Sequence, residues 1–375
     1  EIAKALAQDV RVLIMDEPTS ALSAAEVAVL AQVIDDLKAA GVSIIYISHK
    51  LEEITQIADT VTVLRDGKLV AQELVANINV PWIIEKMVGK DPAALFHKQT
   101  GKLGEVVLSV EDLTLPRRGG GFAVDHVNIE VRRGEVLGIY GLMGAGRSEL
   151  FECLAGRQPA ATGKITVNGK PVTARTVAER IHSGIVLVPE DRQRDGLVQT
   201  LSVEHNMLLA SLQNYLGKIF PFLTRAKEKG AALGMIKNLA VRAASPHVLI
   251  TALSGGNQQK VVVAKALLTL PRVLLLDEPS RGIDVAAKSE IFAIMARLAD
   301  EGYGVLFISS ELKEVLAMAD RILVMSRGAI TGEFLREQAT EEALVAASAV
   351  GHGVIQRSAA KPLPSHLAVQ ETLPS

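Results

Sequence analysis

Two runs of apolar residues end in the same pair of acids: Val12-Leu-Ile-Met before Asp16-Glu17, and Val273-Leu-Leu-Leu before Asp277-Glu278. Neither run has a polar break, so each predicts a strand buried on both faces of a parallel sheet. Residues 1 to 10 read as the end of a helix, and Glu26 to Ala40 has helical spacing that stops at Gly41. Ile44 to Ile47 predicts another buried strand and Leu51 to Ala58 a helix. Val61 to Leu64 and Lys68 to Ala71 read as a hairpin around Asp66-Gly67. Pattern then weakens from Gln72 to Gly104, where Pro81 to Val88 predicts a short closing helix.

From Val106 the alternation returns. Val106 to Val110 and Ala123 to Val131 suggest a small antiparallel sheet, turning at Gly119-Gly120-Gly121. Val136 to Tyr140, Ile185 to Val188 and Val305 to Ile308 predict strands, and Glu149 to Leu154, Val261 to Leu268 and Ala287 to Ala299 helices. Residues 203 to 250 are mostly helical by period. Past Thr340 a last helix gives way to a poorly patterned segment, Gly351 to Ser375, expected to be disordered.

The two acid-ended strands belong to a long internal repeat. Asp277 follows Asp16 by 261 positions (277 minus 16), and the same offset carries Lys4-Ala5-Leu6 onto Lys265-Ala266-Leu267, Ile47-Ser48 onto Ile308-Ser309, and Gly67 onto Gly328. An ungapped match of this length means two copies of one domain in tandem. The offset sets Glu1 opposite Val262, and the second copy opens near Val107, so about 155 residues (262 minus 107) of the first are expected to be missing. The expected organisation is 1–75 for the end of a first domain, 76–104 for tail and linker, 105–345 for a complete second domain, and 346–375 for the tail.

Composition narrows the partners. At 49% hydrophobic and 22% charged the chain is an ordinary globular protein. A net charge of −2 and 3% aromatic residues supply neither the basic patch nor the stacking platform of a nucleic-acid binder. The single cysteine, Cys153, excludes an internal disulfide and reads as a buried, inert thiol. The eight histidines show no metal-ligand spacing. No apolar run is long enough to cross a bilayer, so any membrane role is peripheral.

Candidate chemistry clusters at predicted strand ends. Gly141-Leu-Met-Gly144-Ala145-Gly146-Arg147-Ser148 joins a strand to a helix with P-loop spacing: backbone N–H groups to wrap phosphates, and a hydroxyl in Ser148 for Mg²⁺. Arg147 stands where that motif has Lys. Ser254, Gly255 and Gly256 precede an apolar helix and form a second anion site. Asp16 and Asp277 are placed to hold hydrated Mg²⁺, with Glu17 and Glu278 one residue further out. Ser48 and His49 end the strand beside Asp16, where His49 can meet a γ-phosphate rather than water alone. The loop Pro189 to Gly196 reads as a solvated turn, and Phe122 as a core or loop aromatic or a stacking partner for adenine.

These residues resemble the ABC-type ATPases: the P-loop, the signature Leu253-Ser-Gly-Gly-Asn-Gln-Gln259, the Asp-Glu-Pro strand ends, the switch His49 and the D-loop Gly282-Ile-Asp284. More narrowly, the loop Val188 to Arg192 and Asp277 to Val285 are similar to the double-domain ATP-binding subunits of bacterial monosaccharide importers of the ribose, galactose and xylose type. The resemblance implies a P-loop NTPase α/β fold in tandem: a mostly parallel core sheet, an antiparallel β subdomain and an α-helical subdomain. It implies ATP and Mg²⁺ as cofactors, transmembrane permease subunits and an external or periplasmic sugar-binding protein as partners, and a place on the cytoplasmic face of the plasma membrane. ABC domains would pair head to tail, with Asp16, Glu17 and His49 facing Ser254, Gly255, Gly256, Asn257 and Gln258 across one ATP.

The other site would use Gly141 to Ser148, Glu190, Asp277, Glu278 and Asp284. It departs from the family pattern in Arg147 for Lys, Glu190 for Gln and Ser310 for His, so the first-half site is expected to hydrolyse and the second mainly to bind. The chain alone is expected to have negligible turnover. Three other readings remain: a nucleoside importer, a soluble tandem ATPase of translation or DNA repair, and a nucleotide-binding regulator. The short 72–104 stretch without a charged arm speaks against the second, and Glu17 with His49 against the third.

Overall fold

The computed structural model describes residues 10–19, 22, 24–48, 50–65, 67–88, 103–117, 119–215 and 225–350. In the first unit β1 (Val12–Asp16), α1 (Ala24–Ala39) and β2 (Ser43–Ile47) form a parallel crossover, pairing Val12 with Ser43 through Asp16 with Ile47. A helix is needed because parallel neighbours cannot be joined by a tight turn. Leu13 and Met15 pack on Leu30 and Ile34 of α1, whereas Val12 and Ile14 are 56% and 64% exposed. β1 is therefore covered on one face, not two, among the described residues.

α2 (Leu51–Ile57), the hairpin β3 (Thr60–Arg65) and β4 (Lys68–Leu74), and α3 (Val80–Val88) enclose a small core of Leu51, Val61, Val63 and Ile83. α3, in the stretch expected to be tail and linker, thus packs on α2 and the hairpin. The expected helix end at 1–9, His49, and the tail 351–375 lie outside the described residues.

The second unit opens with β5 (Val106–Pro116), β6 (Phe122–Arg132), β7 (Val136–Gly141) and α4 (Arg147–Leu154). Next come β8 (Thr162–Val167), β9 (Lys170–Pro171), α5 (Val177–His182) and β10 (Ile185–Val188). α6 (Val203–Leu208), α7 (Arg225–Asn238) and α8 (Gly255–Leu267) make a helical region. The chain then runs through β11 (Val273–Asp277), α9 (Val285–Asp300), β12 (Gly304–Ile308), α10 (Leu312–Met318), β13 (Arg321–Ser326), β14 (Ala329–Leu335) and α11 (Glu341–Ser348).

The core sheet has the order β10-β11-β12-β7-β13-β14, parallel except for the last pair. A separate antiparallel sheet runs β6-β5-β8-β9. Every residue of β7, β11 and β12 is buried. Alternate side chains feed two cores, since successive residues of a strand face opposite ways. Leu274 and Leu276 join the helices α6, α8 and α9, while Val273 and Leu275 join α4 and the antiparallel sheet. α3 of the first unit lies against α9, and Lys313 pairs with Glu52 at 3.4 Å across the two units.

Candidate functional site

The sheet order brings the carboxyl ends of β11, β12 and β7 side by side, which gathers three of the predicted segments at one edge. Gly146 caps α4 at φ 97°, a left-handed geometry that needs glycine. Ser148, the second residue of α4, faces Asp277 at the end of β11. Burial pushes the Asp277 carboxyl up to about 6, against the pull of the Ser148 hydrogen bond. Its Oδ1 has no hydrogen-bond partner among the described residues. A buried, unsatisfied carboxylate oxygen beside a serine hydroxyl suits a hard cation that takes oxygen ligands, so Ser148 and Asp277 fit Mg²⁺.

Beside them a cleft of about 400 Å³ is lined by Gly144, Ala145, Gly146, Arg147, Glu190, Glu278 and Ser310. Arg147 is already engaged there: its Nη1 donates to the Ser309 carbonyl at 3.1 Å and lies 3.6 Å from Glu278. Glu278 also accepts from the Ser310 N–H at 3.0 Å and its hydroxyl at 3.2 Å. Burial raises the Glu278 carboxyl above its ordinary range, and Ser310 and Arg147 only partly oppose it. Glu190 forms an ion pair with Arg281.

Glu17 and Glu278 share an unusual backbone, φ 46° and 45°, at equivalent positions of the repeat. Their N–H groups donate to Ile47 and Ile308, the last residues of the neighbouring strands, at 2.9 and 3.1 Å. A left-handed residue with a side chain costs about 1–3 kcal/mol, and such strain concentrates at functional positions.

The signature segment opens α8 earlier than the apolar period suggests, at Gly255. Ser254 is the N-cap, but its hydroxyl accepts from Asn257 Nδ2 at 2.9 Å, while Asn257 Oδ1 accepts from the Arg242 N–H at 2.7 Å. Asp284 caps α9 by accepting from the Ala287 N–H at 2.8 Å. Ser254, Gly256, Asn257 and Asp284 line a second cleft of about 480 Å³, whose other wall is Leu64, Arg65 and Met87 of the first unit. Asp16 and Glu17, expected to face the signature, do not line it.

Two of the expected ligand residues have packing roles. Gln258 is buried, and its Nε2 donates to the Ile250 and Leu253 carbonyls at 3.3 and 3.2 Å. With α8 starting at Gly255, Gln258 falls on the inward face that also carries Val261 and Val262. Gly141 is likewise buried and lies outside the lining of the cleft; a side chain there would overlap the Met325 carbonyl of β13, so packing demands the glycine. Cys153 is buried as expected, its thiol pushed up to about 12 by burial and by Glu152 and Glu149.

The sequence reading missed Arg192. Its Nη1 and Nη2 donate to the carbonyls of Arg281 and Gly282 at 2.8 and 2.9 Å, and the group packs against Gly255. The loop read as a solvated turn therefore ties the Glu190 region to the D-loop and the signature.

A P-loop, an acid-ended central strand and a glycine signature on one α/β scaffold define an ATP-binding cassette. The profile of the ABC transporter family matches residues 124–281. The xylose import ATP-binding protein XylG of Burkholderia cenocepacia (strain HI2424) is 46% identical over 354 residues, covering 93% of this chain and 67% of that protein. A nucleotide-free ATP-binding cassette from an ABC transporter superposes with a TM-score of 0.55 at 25% identity, over 64% of this chain and 94% of that one. A dimeric, post-hydrolysis cassette bound to ADP and Pi shares the fold at a TM-score of 0.54 and 19% identity, over 61% and 98%. The chain belongs to the ATP-binding proteins of ABC transporters.

Proposed function

We propose that the chain is the ATP-hydrolysing subunit that powers import of a monosaccharide through a membrane permease, xylose being the sugar in the name of its relatives. In this reading residues 10–88 are part of one cassette and 105–348 a second, and the two pair head to tail around nucleotide as the family resemblance implies; a cassette of the same fold is dimeric and bound to ADP and Pi. No helix among the described residues is long and apolar enough to cross a membrane, and the seat in this reading is peripheral, on the cytoplasmic face of the permease. The sugar-binding protein on the outer side is a partner through the permease.

In this reading each motif takes the role that the family resemblance implies. Backbone N–H groups of Gly144 to Ser148 cradle phosphates, and N–H groups of Ser254 to Asn257 stabilise developing charge. Glu17 polarises the attacking water, and His49 holds the γ-phosphate. Asp16, Ser148 and Asp277 would hold Mg²⁺, which when bound neutralises charge on the phosphate oxygens. The observation that supports a weakened second site is Arg147, which stands where the P-loop motif has Lys and is already held by the Ser309 carbonyl and beside Glu278.

The test compares Glu17→Gln with Glu278→Gln in the transporter reconstituted with its permease, following ATP turnover and xylose uptake. Glu17→Gln is expected to lower both about 100-fold or more, and Glu278→Gln by no more than about 3-fold. Equal losses would reject the inequality, and turnover without sugar uptake would reject the import role.

A further inference from the structure

The two halves share a connection that reaches from the nucleotide motifs to a residue outside them. Glu314 on α10 is buried, and its Oε2 accepts from the hydroxyls of Ser280 at 2.7 Å and Ser309 at 2.6 Å. Ser280 is the second residue after Glu278, and Ser309 directly precedes Ser310, which holds the Glu278 carboxylate. The repeat offset leads from these to Glu53, Thr19 and Ser48. There Glu53 Oε2 accepts from the Thr19 hydroxyl at 2.8 Å, and Thr19 is the second residue after Glu17. Ser48 and Ser309 also act alike, each accepting from the N–H two residues on at 3.0 Å.

The countercharge, by contrast, comes from different places. Lys50 supplies it to Glu53 at 3.2 Å and Lys288 to Glu314 at 2.6 Å, although the counterpart of Lys50 is Glu311 and that of Lys288 is Val27. Tyr46 gives Glu53 a further donor at 3.1 Å where the second half has Phe307. A carboxylate that stays in place while its cation moves is the constant member of the group, because withdrawing it from water, fully at Glu314 and in large part at Glu53, is costly however it is neutralised. What it fixes is the loop after the acid. Glu17 and Glu278 hold left-handed backbones that persist only where the surroundings impose them. A strand-to-strand hydrogen bond restrains each acid at its own N–H, and the helix carboxylate, buried at Glu314 and half-buried at Glu53, restrains the chain two residues later.

We propose that Glu53 and Glu314 are positioning residues, each clamping the loop that follows the acid onto the helix that follows the next strand, and so fixing the direction of Glu17 or Glu278. The consequence for turnover rests on the hydrolytic role proposed above for Glu17.

The experiment uses the reconstituted transporter with Glu53→Gln, Thr19→Val, Thr19→Ser and the double variant Glu53→Gln/Thr19→Val. Glu53→Gln and Thr19→Val should each lower kcat about 10-fold or more with KM for ATP within about 2-fold, and the double variant should be no slower than the slower single. Thr19→Ser keeps the hydroxyl and should keep the parent rate. Amide hydrogen exchange should quicken in residues 12–19 of Glu53→Gln and in residues 273–283 of Ser280→Ala, a smaller change than Glu314→Gln that retains the test if the latter fails to fold. Losses that multiply in the double variant, or exchange unaltered in these segments, would overturn the clamp. A parent transporter without ATP turnover would sink the hydrolytic reading instead, and the exchange measurement would still decide the clamp.

Discussion

The guanidinium of Arg147 lies 3.6 Å from the carboxylate of Glu278, at the floor of the cleft that the P-loop frames. Both side chains are largely shielded, 13% and 11% exposed, so the pair is screened less than a surface ion pair. Phosphates entering this cleft must compete with Glu278 for Arg147 and must also approach the Glu278 charge. Glu278→Gln removes both penalties while keeping the shape. It should tighten nucleotide binding at this site about 3- to 10-fold, corresponding to roughly 1 kcal/mol for one partly buried charge. Equilibrium titration with ATP and chelator, which prevents turnover, measures it; unchanged or weaker binding would show that Arg147 is not divided between the two anions.

Asp277 predicts a dependence of stability on pH. Burial raises its carboxyl from an ordinary 3.8 to about 6. A raised acid holds its proton more tightly when folded, so its contribution favours folding below the unfolded value and is lost as pH rises through about 6. Without divalent ions, Asp277→Asn should therefore be more stable than the parent by about 1–3 kcal/mol at ~pH 8, and the difference should shrink toward ~pH 5. Urea unfolding in chelator at the two pH values checks it. A gap that is the same at both would mean that Asp277 ionises normally.

Gln258 separates a packing role from a ligand role. Its amide donates to two buried carbonyls, Ile250 and Leu253, that lead into the signature. Gln258→Leu leaves both unsatisfied and should cost about 1–3 kcal/mol of stability, while ATP affinity stays within about 2-fold. Thermal unfolding and nucleotide titration of one variant separate the two effects. An affinity loss of about 10-fold with an unchanged melting point would return Gln258 to the ligand.

What the sequence made legible follows from how much of each signal is local. β7, β11 and β12 are buried throughout, so their apolar runs were visible, and the acids at their ends marked the site edge. β9 has two residues and β8 alternates weakly, too little pattern to read. α5 was readable and passed over: Thr176 and Glu179 form a capping box three residues apart, a signal independent of hydrophobic period. β1 was expected to be covered on both faces, but composition cannot say which layer is present, and α1 covers one.

Side-chain direction was the harder part of the site. Reading α8 from Val261 left Gln258 in a loop, whereas a start at Gly255 turns it into the core. Glu53 and Glu314 were visible as repeat partners, yet a glutamate early in an amphipathic helix looks like a solvated one until its partners are known. Arg192 was hidden for the same reason, since its hydrogen bonds to Arg281 and Gly282 span a long stretch of chain.

Gly256 is where packing and ligand binding make the same demand, and the two can be separated. A Cβ at Gly256 would overlap the Cβ of Ala287 on α9, while the next nearest atom, the Ala287 Cα, stands at an ordinary 3.6 Å. Gly256→Ala must therefore push α8 away from α9, at about 1–3 kcal/mol, which more than offsets the helix propensity gained over glycine. Because one methyl group accounts for the overlap, Ala287→Gly should relieve it. The double variant Gly256→Ala/Ala287→Gly should recover the stability lost by Gly256→Ala to within about 1 kcal/mol, a coupling expected only for residues in contact. Denaturant unfolding of the two single variants and the double measures this coupling, and ATP titration of the double then shows whether phosphate also needs the bare backbone. Additive destabilisation would mean that the glycine serves the ligand and that the approach to Ala287 is tolerated.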